Sequence, residues 1–432
     1  DNLVGRFRSR RFFIDKSLLV WLGLFVFWAT VTIQAQETEQ SSANKTAAGL
    51  PSLAATKDCL KEPRSTECLD NLFREALRNH TTADVLQLIE RFEAEDPELR
   101  RDCHPVVHAI GRETFRLQGN IHDSFSACDQ TCHSGCYHGA VERFLRGDDI
   151  YSENYKHPSQ AELKQKATAA CDANTPLRLR YQCLHGLGHA ILFFAAYQLQ
   201  SSLEICDALG DDWSRSSCYG GVFMENVSNA TNEKKNFSPT DYHAPCNQLA
   251  DQYRRECYIM QTSRMMEMGL STERMLQECA KAGAYRVPCT QSIGRDLSNE
   301  ARMGQPRSVA QKCELAQDDN RLACMRGAVY ALVDNTWDGR YAMPFCAAFG
   351  DNSDSEDCFK MSIQYLRAVF EKPIEDIARD CSRHAANSPR CAELVVRQQP
   401  SGLLDLQRVQ TFRPEYCYRR GFSSGWLTLN RF

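Results

Sequence analysis

The sequence predicts an all-α fold, an α-solenoid of disulfide-stapled helical hairpins repeating about every 35 residues. Three observations lead to it. The cysteines fall in regularly spaced pairs, an apolar run and a shorter amphipathic run separate one pair from the next, and a basic then hydrophobic N-terminus marks the chain for export.

The cysteine pairs set the period. Cys171/Cys183, Cys206/Cys218, Cys246/Cys257, Cys279/Cys289, Cys313/Cys324, Cys346/Cys358 and Cys381/Cys391 are each 10 to 12 residues apart. Their first members recur at intervals of 35, 40, 33, 34, 33 and 35 residues, the period of a two-helix unit. Cys128/Cys136 opens the series, and Cys59/Cys68 reads as a degenerate cap. After each second cysteine comes a run such as LHGLGHAILFFAAYQLQ, the length and pattern of a buried helix. Shorter stretches such as SSLEICDAL and TERMLQECAKA follow, opening on Ser or Thr where a helix N-terminus wants an acceptor. A bridge across each turn closes a loop of about a dozen residues, worth on the order of 3 kcal/mol in principle.

The number of cysteines fixes the compartment. Twenty-one in 432 residues survive as structure only where thiols are oxidised or metal-bound, and the absence of any CxxC pair favours disulfides over zinc. Arg6, Arg8, Arg10, Arg11 and Lys16 precede an uncharged run over 18–33. That is a signal peptide ending at residue 35 or a retained signal-anchor, so the chain is expected to be secreted, periplasmic or membrane-anchored and facing outward. The expected organisation is leader 1–35, disordered linker 36–57, N-terminal helical cap 58–127, paired-cysteine repeats 128–395 and a tail 396–432. Cys103 and Cys132 are left to bridge each other, and Cys417 is odd.

Charge excludes one class of partner. With 51 basic and 55 acidic residues, net charge −4, and no basic stretch interleaved with aromatics after residue 20, nucleic acid is not expected. No nucleophile elbow, P-loop, dinucleotide fingerprint or HExxH is present.

The pairing and period resemble those of secreted cysteine-rich αα-repeat proteins related to the tetratricopeptide class, over about residues 125 to 395. The tryptophan, leucine and proline positions of the tetratricopeptide signature are missing, so the resemblance is one of architecture. It implies a surface for a protein or peptide partner.

Histidine supplies the chemistry. Of eleven histidines, seven lie between His104 and His189 outside a polar insertion. His104 and His108 are four apart, as are His185 and His189, and His138 stands four before Glu142. Residues so spaced share one helix face, so that two side chains can hold one ion. Counted from the second cysteine of each repeat, His138 and His185 both stand at +2, and Glu142 and His189 at +6. Stacked repeats then bring His104, His108, His138, Glu142, His185 and His189 together as a site for divalent zinc, iron or copper, which serves an enzyme or a binding protein. The alternative is a non-catalytic scaffold whose histidines are structural. Deoxyhypusine hydroxylase looks like a comparable design, a helical-repeat solenoid holding two irons between His and Glu pairs, although its adjacent His-Glu motifs are absent here.

Three further motifs compete. CDQTCHSGCYH over 128–138 is a stretched relative of the haem-attachment motif, and Cys128, Cys132, Cys136 and His138 form an alternative zinc set. Met260, Met265, Met266 and Met268 offer either soft copper ligands or core packing.

Overall fold

A computed structural model describes residues 49–147, 151, 156, 158–171, 175–228 and 236–397. The leader, the tail with Cys417 and most of the linker lie outside the described residues. Those described are helices and turns, with no strand among them.

Ser52 caps α1 (Leu53–Lys61), accepting from the Ala55 backbone N–H. The helix therefore starts inside the segment expected to be linker, because Thr56 and Cys59 have a core to enter. Short and long helices then alternate: α2 (Ser65–Ala76), α3 (Thr82–Glu95), α4 (Pro97–Gln118), α5 (Ile121–Ala127), α6 (Thr131–Arg146), α7 (Gln160–Ala170), α8 (Leu177–Phe194), α9 (Leu199–Cys206) and α10 (Asp212–Ser228). A 3₁₀ turn at Cys246–Gln248 replaces the next short helix before α11 (Asp251–Met260) and α12 (Thr262–Glu267). Alternation resumes with α13 (Thr272–Ala280), α14 (Arg286–Arg302), α15 (Pro306–Glu314), α16 (Asp318–Thr336), α17 (Ala342–Ala347), α18 (Ser353–Ala368), α19 (Ile374–His384) and α20 (Pro389–Arg397).

Ten disulfides staple these helices, with Cα–Cα distances of 5.2 to 5.8 Å. Nine join neighbouring cysteines as expected. Cys59–Cys68 links α1 to α2 in the same way. The tenth, Cys103–Cys132, ties α4 to the start of α6.

The even-numbered helices α2 to α10 pack in succession, followed by α11, α14, α16, α18 and α20. Glycine permits the closest of these crossings. A Cβ on Gly139 of α6 would sit 2.0 Å from the His108 carbonyl oxygen, and one on Gly111 of α4 would sit 1.9 Å from that of Cys136. The same reciprocal contact joins Gly188 and Gly221 across α8 and α10, and Gly294 and Gly327 across α14 and α16. Backbone meets backbone in each pair, a distance only glycine allows.

An open solenoid has contacts only between neighbouring units, but here α6 also packs against α16. Tyr137 stacks on Trp337, just past the end of α16, with centroids 5.8 Å apart, and Arg302 at the end of α14 donates to His133 Nε2 at 2.7 Å. The repeat period could not reveal this contact, because it joins residues about 170 to 200 positions apart.

Gly327→Ala should destabilise the protein by about 1–3 kcal/mol or more, since its Cβ meets backbone that no rotamer change can move. Gly210→Ala, with nothing within 4 Å, should stay within about 0.5 kcal/mol. Urea unfolding of both variants checks the pair.

Candidate metal centre

Three consecutive long helices carry the site. Asp96 caps α4 by accepting from the Leu99 N–H, with Pro97 in the first turn and Gly119, at φ 74°, ending the helix. This helix presents His104 and His108. On α6, Cys132, His133 and Ser134 adopt left-handed φ values of 50°, 57° and 61°, a conformation costing roughly 1–2 kcal/mol per residue. The Cys103 bridge anchors this turn, which aims the Cys132 carbonyl at His104. Past it, α6 presents His138 and Glu142, and α8 presents His185 and His189.

The structure brings all five histidines together. Ring centroids lie 4.6 Å apart for His104–His108, 5.4 Å for His104–His138, 5.5 Å for His108–His138 and 5.5 Å for His138–His185. His138–His189 measures 5.4 Å and His185–His189 5.0 Å, so His138 is the hub. One ligand atom from each of His104, His108 and His138 lies within 4.8 Å of the other two.

Acceptors stand beside one nitrogen of each ring. His104 Nδ1 lies 2.8 Å from the Cys132 carbonyl oxygen, which places its proton on Nδ1, and His108 Nδ1 lies 3.5 Å from Glu142 Oε2, an ion-pair distance. With Nδ1 protonated on both rings, both Nε2 atoms have lone pairs. Those Nε2 atoms face each other at 3.1 Å. In that tautomer two neutral acceptors repel unless a cation lies between them, whereas His108 protonated at Nε2 would donate to His104. With bonds of about 2.0–2.1 Å a metal would subtend about 100° there, a normal ligand angle. His189 follows the same rule: Nδ1 donates to Glu225 Oε2 at 2.9 Å, Tyr197 holds the other oxygen at 3.0 Å, and Nε2 is buried without a hydrogen-bond partner. An imidazole backed by a carboxylate is the usual support of a metal-bound histidine. His138 Nε2 meets Gln182 Oε1 at 3.0 Å, leaving Nδ1 without a hydrogen-bond partner.

Glu142 stands behind His108. Arg112 Nη1 donates to it at 2.9 Å, while Arg112 and Arg146 also clamp Asp70 at 2.7 and 3.0 Å. Burial opposes its ionisation, but Arg112, His108 and Arg146 outweigh burial and hold its pKa below the ordinary carboxylate range. It thereby acts as an anionic acceptor for His108. His133 turns away to accept from Arg302, and His122 is exposed beside Asp123.

The rival motifs do not survive. Cys128–Cys136 and Cys103–Cys132 consume the cysteines that haem attachment or a four-ligand zinc set requires. Glu93 lies beside Cys132 Sγ at 2.7 Å, and burial raises its pKa to about 7 against the pull of Arg302, but both adjoining sulfurs are bridged. Met260 and Met265 are core residues, and Met266 is 40% exposed.

Sequence reasoning missed Gln182, Glu225 and Met224. Glu225 stands 36 residues after His189, one repeat on, in the run FMEN. A buried carboxylate one repeat beyond a histidine was the available signal.

No protein-family model matches the chain, and comparison with curated proteins and with solved structures finds no match. Fold and site together define a disulfide-rich, all-helical protein with a histidine cluster able to bind a metal. Ten disulfides suit an oxidising, extracytoplasmic environment, and no described helix is long and apolar enough to cross a membrane.

Burial lowers the pKa values of His104, His108, His138 and His185, and neighbouring imidazoles lower His104, His138 and His185 further. His133 falls to about 3 by burial and by the charge of Arg302. Between these values and the ordinary 6.5, the unfolded chain binds more protons than the folded one. The histidine contribution to the stability of the metal-free protein is therefore full above about pH 7 and lost as pH falls, against a smaller opposing contribution from Glu93 and Asp334, whose carboxyls burial raises to about 7. The His133 contribution disappears from about 6.5 down to about 3, and Glu142, also lowered, acts in the same direction at more acid pH. Urea unfolding of chelator-treated protein should lose more than about 1.4 kcal/mol per pH unit between about pH 6.5 and 5, the slope of a single proton. A flat profile would contradict this.

Proposed function

We propose that this is an extracytoplasmic metal-binding protein whose divalent ion, zinc, iron or copper, is held by His104, His108 and His138. His185 and His189 lie against His138 on the next helix, and Glu142 acts from behind His108. The observation supporting this reading is the facing Nε2 pair at 3.1 Å, each ring with an acceptor at its Nδ1. Three protein ligands would leave a coordination position to water, as in catalytic rather than structural zinc sites, so a metal-dependent enzyme is the fuller form of the proposal. When bound, the ion would supply Lewis acidity. The chain's own contribution is to fix the tautomers through Cys132, Glu142 and Glu225, and to keep the rings neutral by burial.

The architectural reading that accompanies it is a solenoid of hairpins of about 35 residues, curled until α6 and α16 meet. Residues 18–33 export the chain or anchor it. A second reading, a scaffold for a protein or peptide partner, draws on Gln182 and Met224, which give His138 and His185 partners other than a metal.

Elemental analysis of protein recovered from an oxidising compartment separates the two. Stoichiometric zinc, iron or copper is expected in the wild type, with a chelator-induced drop in Tm. His104→Ala/His108→Ala should abolish the nitrogen-ligated ion of this centre and the drop in Tm that its removal causes. A metal-free wild type, or a double variant that retains a nitrogen-ligated ion with no sulfur scatterer, would support the scaffold.

A further inference from the structure

The +6 register position continues one helix beyond the histidine pairs. Glu142 occupies it on α6, His189 on α8 and Met224 on α10. Met224 is partly exposed, and its Sδ lies 3.4 Å from His185 Nε2. The approach is built by backbone, since a Cβ on Gly221 would fall 1.9 Å from the His185 carbonyl oxygen and one on Gly220 3.4 Å from His185 Nδ1. One turn along α8, His189 is 4% exposed and offers the unpartnered Nε2 described above, its Nδ1 donating to Glu225. Two imidazole nitrogens and a thioether sulfur are thus presented by α8 and α10, next to His138 and with the His189 ring 6.3 Å from that of His108.

We propose that His185, His189 and Met224 form a second metal site, separate from the His104/His108/His138 centre, that takes copper(I). With metal–nitrogen and metal–sulfur bonds of about 2.0 and 2.3 Å, the 3.4 Å separation gives a ligand angle of about 100°. Thioethers are soft ligands that select copper(I) over zinc or iron. Every described cysteine is bridged, so methionine and histidine are the soft and borderline ligands that remain to this protein. The plain alternative is a weak N–H···S hydrogen bond from His185, which needs no ion.

The site does not depend on the first centre, and the experiment keeps the two apart. Full-length protein is stripped with chelator and titrated anaerobically with copper(I) against a bicinchoninate competitor, and the loaded protein is examined by X-ray absorption. Expected are bound copper(I) with a sulfur scatterer at about 2.3 Å, and loss of that scatterer in Met224→Leu. The variant's affinity should fall by more than about tenfold, the loss typical even of an outer partner, while zinc binding elsewhere is unchanged. His104→Ala/His108→Ala should do the converse, losing zinc and keeping sulfur-ligated copper. Nitrogen-only coordination in the wild type, or a Met224→Leu variant that binds copper(I) normally, overturns the proposal. Leucine is close in volume to methionine. Should that variant fail to fold, the wild-type absorption spectrum decides alone. Absence of zinc with sulfur-ligated copper present would remove the first centre and leave this one standing.

Discussion

Everything at the site depends on how closely the long helices cross. Where Gly139 meets the His108 carbonyl and Gly111 meets that of Cys136, no side chain separates α4 from α6. The Gly188/Gly221 crossing does the same for α8 and α10. A glycine inside a helix costs about 1 kcal/mol relative to alanine, and each pair accepts that cost twice. In return the histidine rings meet at 5.4 to 5.5 Å across helix boundaries instead of being held apart by an intervening layer of side chains. The disulfides hold the crossings in register, since each bridge fixes the turn from which the next long helix departs.

Burial then decides the chemistry. Five imidazoles removed from water cannot all carry charge, and those at His104, His108, His138 and His185 are pushed toward the neutral form. Neutral imidazole is the form that binds metal. Which nitrogen faces inward is set one layer out. The left-handed turn at Cys132–Ser134 aims a carbonyl at His104, the Arg112–Asp70–Arg146 network holds Glu142 behind His108, and Tyr197 holds Glu225 behind His189. Strained backbone and buried ion pairs, both unfavourable in isolation, serve here to fix lone-pair direction.

Much of this was legible in the sequence. The nine local bridges followed from cysteine spacing, because a bridge across one turn leaves a fixed local distance. The convergence of His104, His108, His138, His185 and His189 followed from i,i+4 spacing combined with repeat register. Glu142 shared that register and Arg146 stands four residues on along the same helix, but Arg112 and Asp70 come from two other helices, and no spacing rule shows that they would draw it behind His108. Gln182, Glu225 and Met224 escaped because each touches its histidine across a helix crossing, where which ring nitrogen meets which atom depends on packing angle. The contact of α6 with α16 escaped for a related reason: nearest-neighbour logic ends at the next repeat, and Tyr137 and Trp337 are 200 residues apart. The Cys128–His138 motif misled in its haem and zinc readings because spacing alone cannot show that Cys103 claims Cys132.

The central claim is that the His104 and His108 Nε2 atoms face each other because an ion belongs between them. Anomalous diffraction from crystals of metal-loaded protein, collected at the absorption edge of the metal found by elemental analysis, tests it most directly. The account predicts a peak about 2.0–2.2 Å from both atoms, with His138 completing the set. A map without a peak there, or rings turned so that one Nε2–H donates to the other, would contradict it.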